Sequence, residues 1–399
     1  MRFTRQRRSA AVAATFAAVV ALAGCGTDQP PPAPPEAPTT QPSTGPSSAA
    51  PESPASPASP SDSTSVQQTP VPSSSPPETS ESVLMLPSGE PEVIAEGLEN
   101  PWSLVFVDDQ PLFTQRARAT ISTVVDGEVV EVARIEDARP EAEGGVLGIE
   151  VSPGSADTLF VYYTAARDNR VVSYPLARQG ETFTLGEPTV IIEDIPKARA
   201  HNGGRIKFGP DGKLYVATGD ASEKPRSQDA LNLGGKILRV NPDGSIPGDN
   251  PNGSAVWSMG HRNVQGLAWA DDGTMWATEF GQDTWDELNI IEPGVNYGWP
   301  EVEGSGGEPE YRDPVLTWTT DEASPSGLLY RDGNLYVAAL RGERMWVMLE
   351  SDPAGTVTDV LNGGPGRLRD IVSAPDGTIW VLTSNNGGDR ILSYALAEA

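Results

Sequence analysis

The segment Pro210-Asp211-Gly212-Lys213-Leu214-Tyr215-Val216 joins a tight turn to a short strand that begins with an apolar residue. Asp-Gly between strand-like runs is a strong hairpin signal, because the central positions of such a turn favour positive φ. Related segments occur at 108–113, 155–162, 271–276, 331–337 and 375–381. Their apolar anchors stand at positions 112, 159, 214, 275, 335 and 379, which are 44 to 61 residues apart. One unit is therefore repeated six times along the chain.

Repeats of this size are typical of the four-stranded blades of a β-propeller. No long stretch after the N-terminus has a clear helical period. The sequence therefore predicts an all-β fold, a six-bladed β-propeller, with six unconnected hairpins in a sandwich as the alternative. Ring closure is expected to pair residues 93–98 with the C-terminal strand at 390–396, since a closed ring leaves only short, protected edges.

The N-terminus has the pattern of a signal peptide. Four arginines within the first eight residues precede an apolar run at 10–23, which is too short for a transmembrane helix. The run ends at Leu22-Ala23-Gly24-Cys25, which resembles a bacterial lipobox and contains the only cysteine of the chain. We expect residues 1–24 to be a lipoprotein signal peptide and Cys25 to be lipidated; a chance cysteine near a cleavage site is the alternative. Disulfide bonds within the mature chain are excluded.

Residues 25–90 are rich in Pro, Ser, Thr, Ala and Glu and contain few large apolar side chains. Such a segment cannot bury enough surface to offset its ordering entropy, so we expect a disordered linker after the lipidated cysteine. The propeller is then expected to occupy residues 91–399. This order predicts a domain whose acyl chains alone tether it to the outer face of the bacterial cytoplasmic membrane. A location elsewhere in the periplasm or cell envelope is also compatible with this order.

The formal net charge of −27 makes nucleic acid and anionic lipid surfaces poor partners for this chain. Arginines that converge within so acidic a protein would create a local positive field. Four candidates come from three different repeats: Arg262, Arg341, Arg367 and Arg369. If they converge around one channel, they would bind an anionic ligand that carries carboxylates or phosphates. Alternatively, Arg367 and Arg369 lie on a solvent-exposed strand edge and bind no ligand.

Polar residues are densest between positions 260 and 300, and a second polar group, His201-Asn202-Gly203-Gly204-Arg205, lies upstream. His201 directly precedes a predicted strand, and Asp220 lies at the far end of the same hairpin. A histidine whose second ring nitrogen faces a carboxylate has a fixed tautomer and is a competent base near neutral pH. A structural histidine is the alternative. For the chain's other histidine, His261, we favour a packing role, and Asp286-Glu287 is a weak candidate for a cation loop.

These motifs resemble those of the soluble quinoprotein sugar dehydrogenases, the glucose/sorbosone dehydrogenase family. The resemblance extends from Asn100-Pro101-Trp102 to Asp389. It rests on the segments 143–148, 201–205, 234–240, 243–251, 260–300 and 367–370. Of these, the segment from Gly260 to Pro300 is the most specific.

The resemblance implies a propeller that holds pyrroloquinoline quinone (PQQ) over its channel, with a Ca²⁺ ion beneath the cofactor. His201 matches the base that takes the proton from the anomeric hydroxyl of a sugar, and Asp220 matches the residue that orients this base. The matched cofactor-binding residues are Arg262, Asn263, Arg341, Arg367 and Arg369, and the backbone carbonyls matched to Ca²⁺ are those of Gly281 and Gln282. The implied activity is oxidation of an aldose to its lactone, with an electron acceptor that the sequence does not identify.

The chain departs from the family pattern at several positions. Glu143 stands where a substrate-binding glutamine is usual, Arg341 replaces a lysine, and Phe280 replaces a polar residue. Gln115 replaces the glutamate of a Thr-Glu-Arg motif in the first repeat. These changes keep open a second class of function, a non-catalytic propeller lipoprotein that binds a glycan or protein at the channel mouth. A metal-dependent lactonase on the same fold is a third.

Overall fold

The computed structural model describes residues 82–306 and 309–399. Within these ranges the protein is an all-β, six-bladed propeller. Its six antiparallel sheets follow one another along the chain. The innermost strand of each sheet contacts that of the next sheet, and the sixth contacts the first, so the ring closes. The predicted fold is confirmed.

The first strand of the chain, β1 Met85–Leu98, belongs to the last blade. Blade 1 consists of β2 Pro101–Val107, β3 Gln110–Gln115, β4 Thr120–Val125 and β5 Glu128–Arg134. Blade 2 consists of β6 Val146–Val151, β7 Thr158–Thr164, β8 Asn169–Gln179, β9 Thr182–Leu185 and β10 Thr189–Ile195. Blade 3 consists of β11 Ile206–Phe208, β12 Leu214–Ala217, β13 Lys236–Val240 and β14 Val256–Met259.

Blade 4 consists of β15 Val264–Trp269, β16 Met275–Glu279, β17 Trp285–Ile291 and β18 Leu316–Thr319. Blade 5 consists of β19 Pro325–Arg331, β20 Asn334–Ala339, β21 Arg344–Leu349 and β22 Thr358–Val360. Blade 6 combines β1 with β23 Leu368–Ser373, β24 Ile379–Thr383 and β25 Asp389–Glu398. The described helices are short: α1 Pro353–Thr356 and the 3₁₀ turns Lys224–Gln228 and Pro251–Gly253. None of them is long and apolar enough to cross a membrane.

The apolar anchors of the six repeats all lie on the second strand of a blade. Five of them are fully buried and Met275 is 5% exposed. They pack in clusters that join neighbouring sheets; Leu112 and Ile121 of blade 1, for example, pack with Leu159 and Val161 of blade 2. Because burying a side chain of this size contributes about 1.5–3 kcal/mol, these anchors hold each blade against the next.

The Asp-Gly turns differ in one respect from the prediction. Among the Asp-Gly turns of the repeated units, both central residues have positive φ only at Asp332-Gly333. At Asp211, Asp272 and Asp376 only the glycine that follows has positive φ. In each of these three turns the carboxylate accepts the backbone N–H two residues later, at 2.8 to 3.0 Å. Aspartate is used there because its side chain closes the turn.

Ring closure follows the predicted pairing. Strand β1 is antiparallel to β25, with Val93 opposite Leu392 and Leu98 opposite Asp389. The strand begins at Met85, ahead of the expected domain boundary at residue 91, so the last residues assigned to the linker belong to blade 6. The predicted signal peptide, Cys25 and most of the predicted linker lie outside the described residues.

Candidate active site at one mouth of the channel

All six blades contribute to one polar cavity. The cavity has a volume of about 220 Å³. Each blade contributes to its lining; from blade 1 to blade 6, examples are Trp102, Glu143, Gly203, Gln265, Leu340 and Arg369. These residues lie where the chain enters an innermost strand or leaves a second strand. Because both kinds of connection lie at the same end of the ring, the cavity occupies one mouth of the central channel.

His201 and Asp220 meet at this mouth. Nδ1 of His201 lies 2.8 Å from Oδ1 of Asp220. The His201 side chain is 20% exposed, so its ring remains accessible, whereas Asp220 is buried. The backbone of His201 has a φ of 59°, and its N–H donates to Oε2 of Glu143 at 2.8 Å. The two side chains that the sequence placed at one hairpin are therefore in contact, and Glu143 helps to hold the histidine in a strained conformation.

Asp220 has two further donors. The indole Nε1 of Trp299 donates to its Oδ2 at 2.9 Å, and the backbone N–H of Ser222 donates to Oδ1 at 2.7 Å. Burial opposes ionisation of this carboxyl, but the hydrogen bonds from His201, Trp299 and Ser222 outweigh burial and lower its pKa. An ionised Asp220 keeps the proton of the neutral imidazole on Nδ1. Nε2 of His201 is then free to accept a proton.

Three arginines line the same cavity: Arg116, Arg367 and Arg369. Nη1 of Arg369 donates to Gln265 Oε1 at 2.9 Å and to Ser326 Oγ at 3.1 Å, while its buried Nε has no partner. Burial, and then the nearby charges of Arg116 and Arg205, lower the pKa of Arg369 to about 9. So much unbalanced positive charge favours an anionic ligand.

The β16–β17 connection borders this mouth and is organised by a carboxylate. Oε1 of Glu303 accepts the backbone N–H groups of Gln282, Asp283, Thr284 and Trp285 at 2.7 to 3.2 Å. Asp286 Oδ1 accepts the N–H of Gly281 at 2.9 Å. Within the described ranges, no donor bonds the carbonyl oxygens of Gly281 or Gln282. Both carbonyls therefore remain available to a ligand.

Comparison with known proteins agrees with this geometry. The sequence profile of the glucose/sorbosone dehydrogenase family matches residues 98–393. The chain belongs to the glucose/sorbosone dehydrogenase family. The family and the class of enzyme predicted from the sequence, a sugar-oxidising oxidoreductase, are confirmed.

Solved structures and curated relatives support this membership. The PQQ-bound aldose sugar dehydrogenase of Streptomyces coelicolor is 44% identical, with a TM-score of 0.73 over 78% of this chain and 100% of that chain. A putative oxidoreductase (glucose dehydrogenase) of Thermus thermophilus is 37% identical, with a TM-score of 0.70 over 77% and 99%. The aldose sugar dehydrogenase of Escherichia coli is 28% identical over 75% of this chain and 91% of the relative.

Two of the cofactor-binding residues expected in this dehydrogenase lie beside the cavity but are engaged within the protein. Arg262 Nη1 donates to the carbonyl of Phe280 at 3.0 Å, and its guanidinium stacks on Trp299 at 5.5 Å. Asn263 is buried, and its Oδ1 accepts Gly203 N–H at 3.0 Å and Gln265 Nε2 at 3.2 Å. In the structure, Asn263 therefore fixes the floor of the cavity.

Arg341 is placed differently from the expectation. Its side chain is 58% exposed and forms an ion pair of 2.5 Å with Asp321. The cavity is lined instead by the preceding residue, Leu340. The chain leaves β20 at this point, and successive side chains of an extended segment point to opposite sides. Arg341 is thus a residue of the rim.

The other candidates of the polar block have internal roles in this dehydrogenase. His261 is fully buried, and its two ring nitrogens form hydrogen bonds of 2.8 Å with the side chains of Glu279 and Ser258. Its ring also stacks on Tyr297, in keeping with the packing role we favoured. The carboxylate of Glu287 accepts from Gly304 N–H and Asn289 Nδ2. With Asp286 also engaged, the suggested cation loop is not built from these two carboxylates. No group of three or more His, Cys, Asp or Glu side chains suited to a metal exists in the described part of the chain.

Sequence reasoning missed three residues of this site: Arg116, Trp299 and Glu303. Arg116 follows Gln115 in a motif that the sequence displayed, so its place in the cavity could have been inferred. Trp299 and Glu303 lie in the connection 292–315 between β17 and β18. Trp299 bonds a residue 79 positions away, and Glu303 bonds residues 18 to 21 positions away. A local sequence pattern does not indicate contacts over such separations.

Proposed function

We propose that this protein is a quinoprotein oxidoreductase that oxidises an aldose to its lactone with PQQ and Ca²⁺. One observation carries the proposal: the His201–Asp220 pair stands beside a cavity lined by three arginines. Oxidation of the sugar requires a base, and binding of an acidic cofactor requires cationic groups; both are present at the same channel mouth. A glycan-binding lipoprotein would need neither an oriented imidazole nor a buried, unpaired guanidinium nitrogen.

The residues of the chain supply base catalysis and orientation. His201 Nε2 accepts the proton of the anomeric hydroxyl, and Asp220 stabilises the imidazolium that forms. Asp220 is itself held ionised by Trp299 and Ser222 N–H. When bound, a quinone accepts the two electrons that leave the anomeric carbon as hydride.

The cavity suits PQQ because the cofactor carries three carboxylates. Arg116, Arg367 and Arg369 would pair with them, and the unpartnered Nε of Arg369 offers a buried donor. The backbone carbonyls of Gly281 and Gln282 would bind Ca²⁺. Since Ca²⁺ takes six to eight oxygen ligands, the cofactor and water would complete its coordination.

We also propose that the domain acts outside the cytoplasm. The pattern at residues 1–25 supports export and lipidation of Cys25, and the composition of the segment that follows supports a tether. The propeller would then stand in the periplasm or cell envelope, where it passes electrons to an acceptor. Retention of the protein in the membrane fraction, and its release by Cys25→Ser, would test this location.

Calorimetric titration of the purified protein with PQQ, with and without Ca²⁺, tests the proposed function. We expect tight binding that depends on Ca²⁺. The double variant Arg367→Ala, Arg369→Ala should lose on the order of 100-fold or more in affinity, because each charge-assisted hydrogen bond contributes about 1.5–3 kcal/mol. The matched control is Arg178→Ala, Arg312→Ala, which removes the surface ion pairs of Arg178 with Asp108 and Asp109 and of Arg312 with Glu292, away from the cavity. Absence of PQQ binding under either condition would refute the quinoprotein assignment.

A further inference from the structure

Glu143 is an unusual feature of the cavity because one of its carboxylate oxygens is unused. Oε2 accepts the backbone N–H of His201 at 2.8 Å. In the described part of the chain Oε1 has no hydrogen-bond donor, and the carboxylate forms no ion pair. The side chain is exposed and lines the cavity that contains the arginines. A free anionic oxygen therefore faces the ligand space, one hydrogen bond away from the backbone of the base.

The charges around Glu143 indicate what this oxygen can recognise. The arginines of the floor are three in number, and under the proposed function they face the three carboxylates of PQQ. Once those charges are paired, Glu143 remains as an unpaired negative charge beside His201. A carboxylate in that position binds a cationic group much better than a hydroxyl, since a charge-assisted hydrogen bond is about twice as strong as a neutral one.

We propose that the preferred substrates are aldoses with an ammonium group next to the reacting carbon, that is, 2-amino-2-deoxy aldoses. This inference rests on the proposed function. His201 must reach the hydroxyl on C1, and Glu143 is bonded to the backbone of that same residue. Of the two ring atoms bonded to C1, only C2 carries a substituent, so the group on C2 is the part of the sugar next to the reacting centre that can present a cation to Oε1. The amino group takes no part in the oxidation, in which the sugar loses the hydride from C1 and the proton of its hydroxyl.

Kinetic discrimination is the first test. We expect the PQQ- and Ca²⁺-loaded enzyme to show kcat/KM for glucosamine on the order of tenfold above that for glucose, and N-acetylglucosamine, which is neutral, to lose this advantage. Glu143→Gln keeps an oxygen that can accept the His201 N–H but removes the charge, so the glucosamine-to-glucose ratio should fall to about one. Because it is a ratio, a general loss of activity cancels. Glu141→Gln is the matched control, since Glu141 is paired with Arg199 at 2.6 Å outside the cavity lining.

Binding without turnover is the second test. The 1,5-anhydro forms of glucose and glucosamine lack the hydroxyl on C1 and cannot be oxidised. Calorimetry on the PQQ- and Ca²⁺-loaded protein should show tighter binding of the amino form to the wild type, loss of that preference in Glu143→Gln, and weakening of it as pH rises above the pKa of the sugar amine. Equal binding of the two forms, or a preference that survives in Glu143→Gln, would overturn the inference. If aldoses are oxidised but without this preference, the proposed function stands and only the substrate class is wrong; if neither oxidation nor preference is seen, both fail.

Discussion

At the level of single residues, the proposed base catalysis depends on how Asp220 is held. This carboxylate is buried and receives donors from His201, Trp299 and the backbone of Ser222. The indole of Trp299 is the one donor that comes from another blade. It is also the donor that can be removed without changing the backbone or the base.

We predict that Trp299→Phe impairs the base through Asp220. Loss of the 2.9 Å hydrogen bond leaves a buried carboxylate oxygen without that donor, which raises the pKa of Asp220. Because the proposed mechanism requires ionised Asp220, the acid limb of the kcat profile should move to higher pH. A hydrogen bond to a charged group contributes about 1.5–3 kcal/mol, so kcat should fall by about 10- to 100-fold.

Trp257→Phe is the control for this prediction. Trp257 lies in blade 3, and its buried Nε1 has no hydrogen-bond partner. The substitution therefore changes ring size without removing a donor from Asp220. An acid limb that is identical in wild type and Trp299→Phe would show that Trp299 has only a packing role.

The sequence could predict contacts between residues that belong to the same hairpin. His201 and Asp220 flank β11 and β12, so their proximity follows from strand pairing. The hydrogen bonds that Trp299 donates and Glu303 accepts from the connection 292–315 could not be predicted in this way, because they depend on how a long connection returns to the channel mouth. The exposure of Arg341 was missed for a related reason, since its direction depends on where β20 ends.

At the level of elements, the connection after β16 is held by carboxylates that neighbouring segments supply. Asp286, on β17, accepts Gly281 N–H at 2.9 Å through Oδ1 and Ser324 N–H at 2.6 Å through Oδ2. The side chain is 1% exposed, and burial raises the pKa of Asp286 to about 6 despite these two hydrogen bonds. The fold therefore contains an acid that is costly to ionise.

This raised pKa predicts a pH-dependent contribution to stability. In the unfolded chain an aspartate has a pKa of about 3.9, so between about pH 4 and 6 the unfolded state releases this proton while the folded state keeps it. The contribution of Asp286 to the free energy of unfolding therefore falls as pH rises through that window. The loss is complete above the folded pKa and amounts to at most about 3 kcal/mol.

Asp286→Asn removes this titration. The variant loses one acceptor at every pH, but its free energy of unfolding relative to wild type should increase by up to about 3 kcal/mol from pH 4 to pH 7. Urea denaturation at several pH values in this range measures the difference. A difference that stays constant with pH would show that the carboxyl ionises as easily in the folded protein as in the unfolded chain.

Strands and turns were predictable because their signals are local. All six anchors lie on second strands, as the repeat required. The extra strand β9 was not predicted, since it pairs only with the extension of β8 beyond the blade. The start of β1 at Met85 was missed because residues 85–90 resemble the linker in composition, and only their pairing with β25 gives them structure.

At the level of the whole molecule, the ring is closed by the two ends of the domain. Strand β1 pairs with β25 along its length. Asp389, at the start of β25, accepts the backbone N–H of Asn100 at 3.0 Å and that of Asn385 as well. The carboxylate is fully buried. Closure therefore joins β25 both to β1, the first described strand of the chain, and to the segment that begins blade 1.

We predict that removing residues 1–98 prevents stable folding, whereas removing residues 1–81 does not. The longer deletion takes away β1, exposes the edge of β25 and uncovers the site of Leu98, which packs with Leu104 and Phe113 of blade 1. An open sheet edge with apolar neighbours favours aggregation. The shorter deletion leaves every strand of the ring in place.

Thermal unfolding followed by circular dichroism, together with gel filtration, distinguishes the two deletions. The chain that begins at residue 82 should match the full-length protein in Tm and elute as a compact species. The chain that begins at residue 99 should aggregate or melt at a lower temperature and without a single cooperative transition, because closure couples blade 6 to blade 1 and so lets the six blades unfold as one unit. A cooperative transition at an unchanged Tm in the chain that lacks β1 would mean that blade-to-blade packing alone sustains the ring.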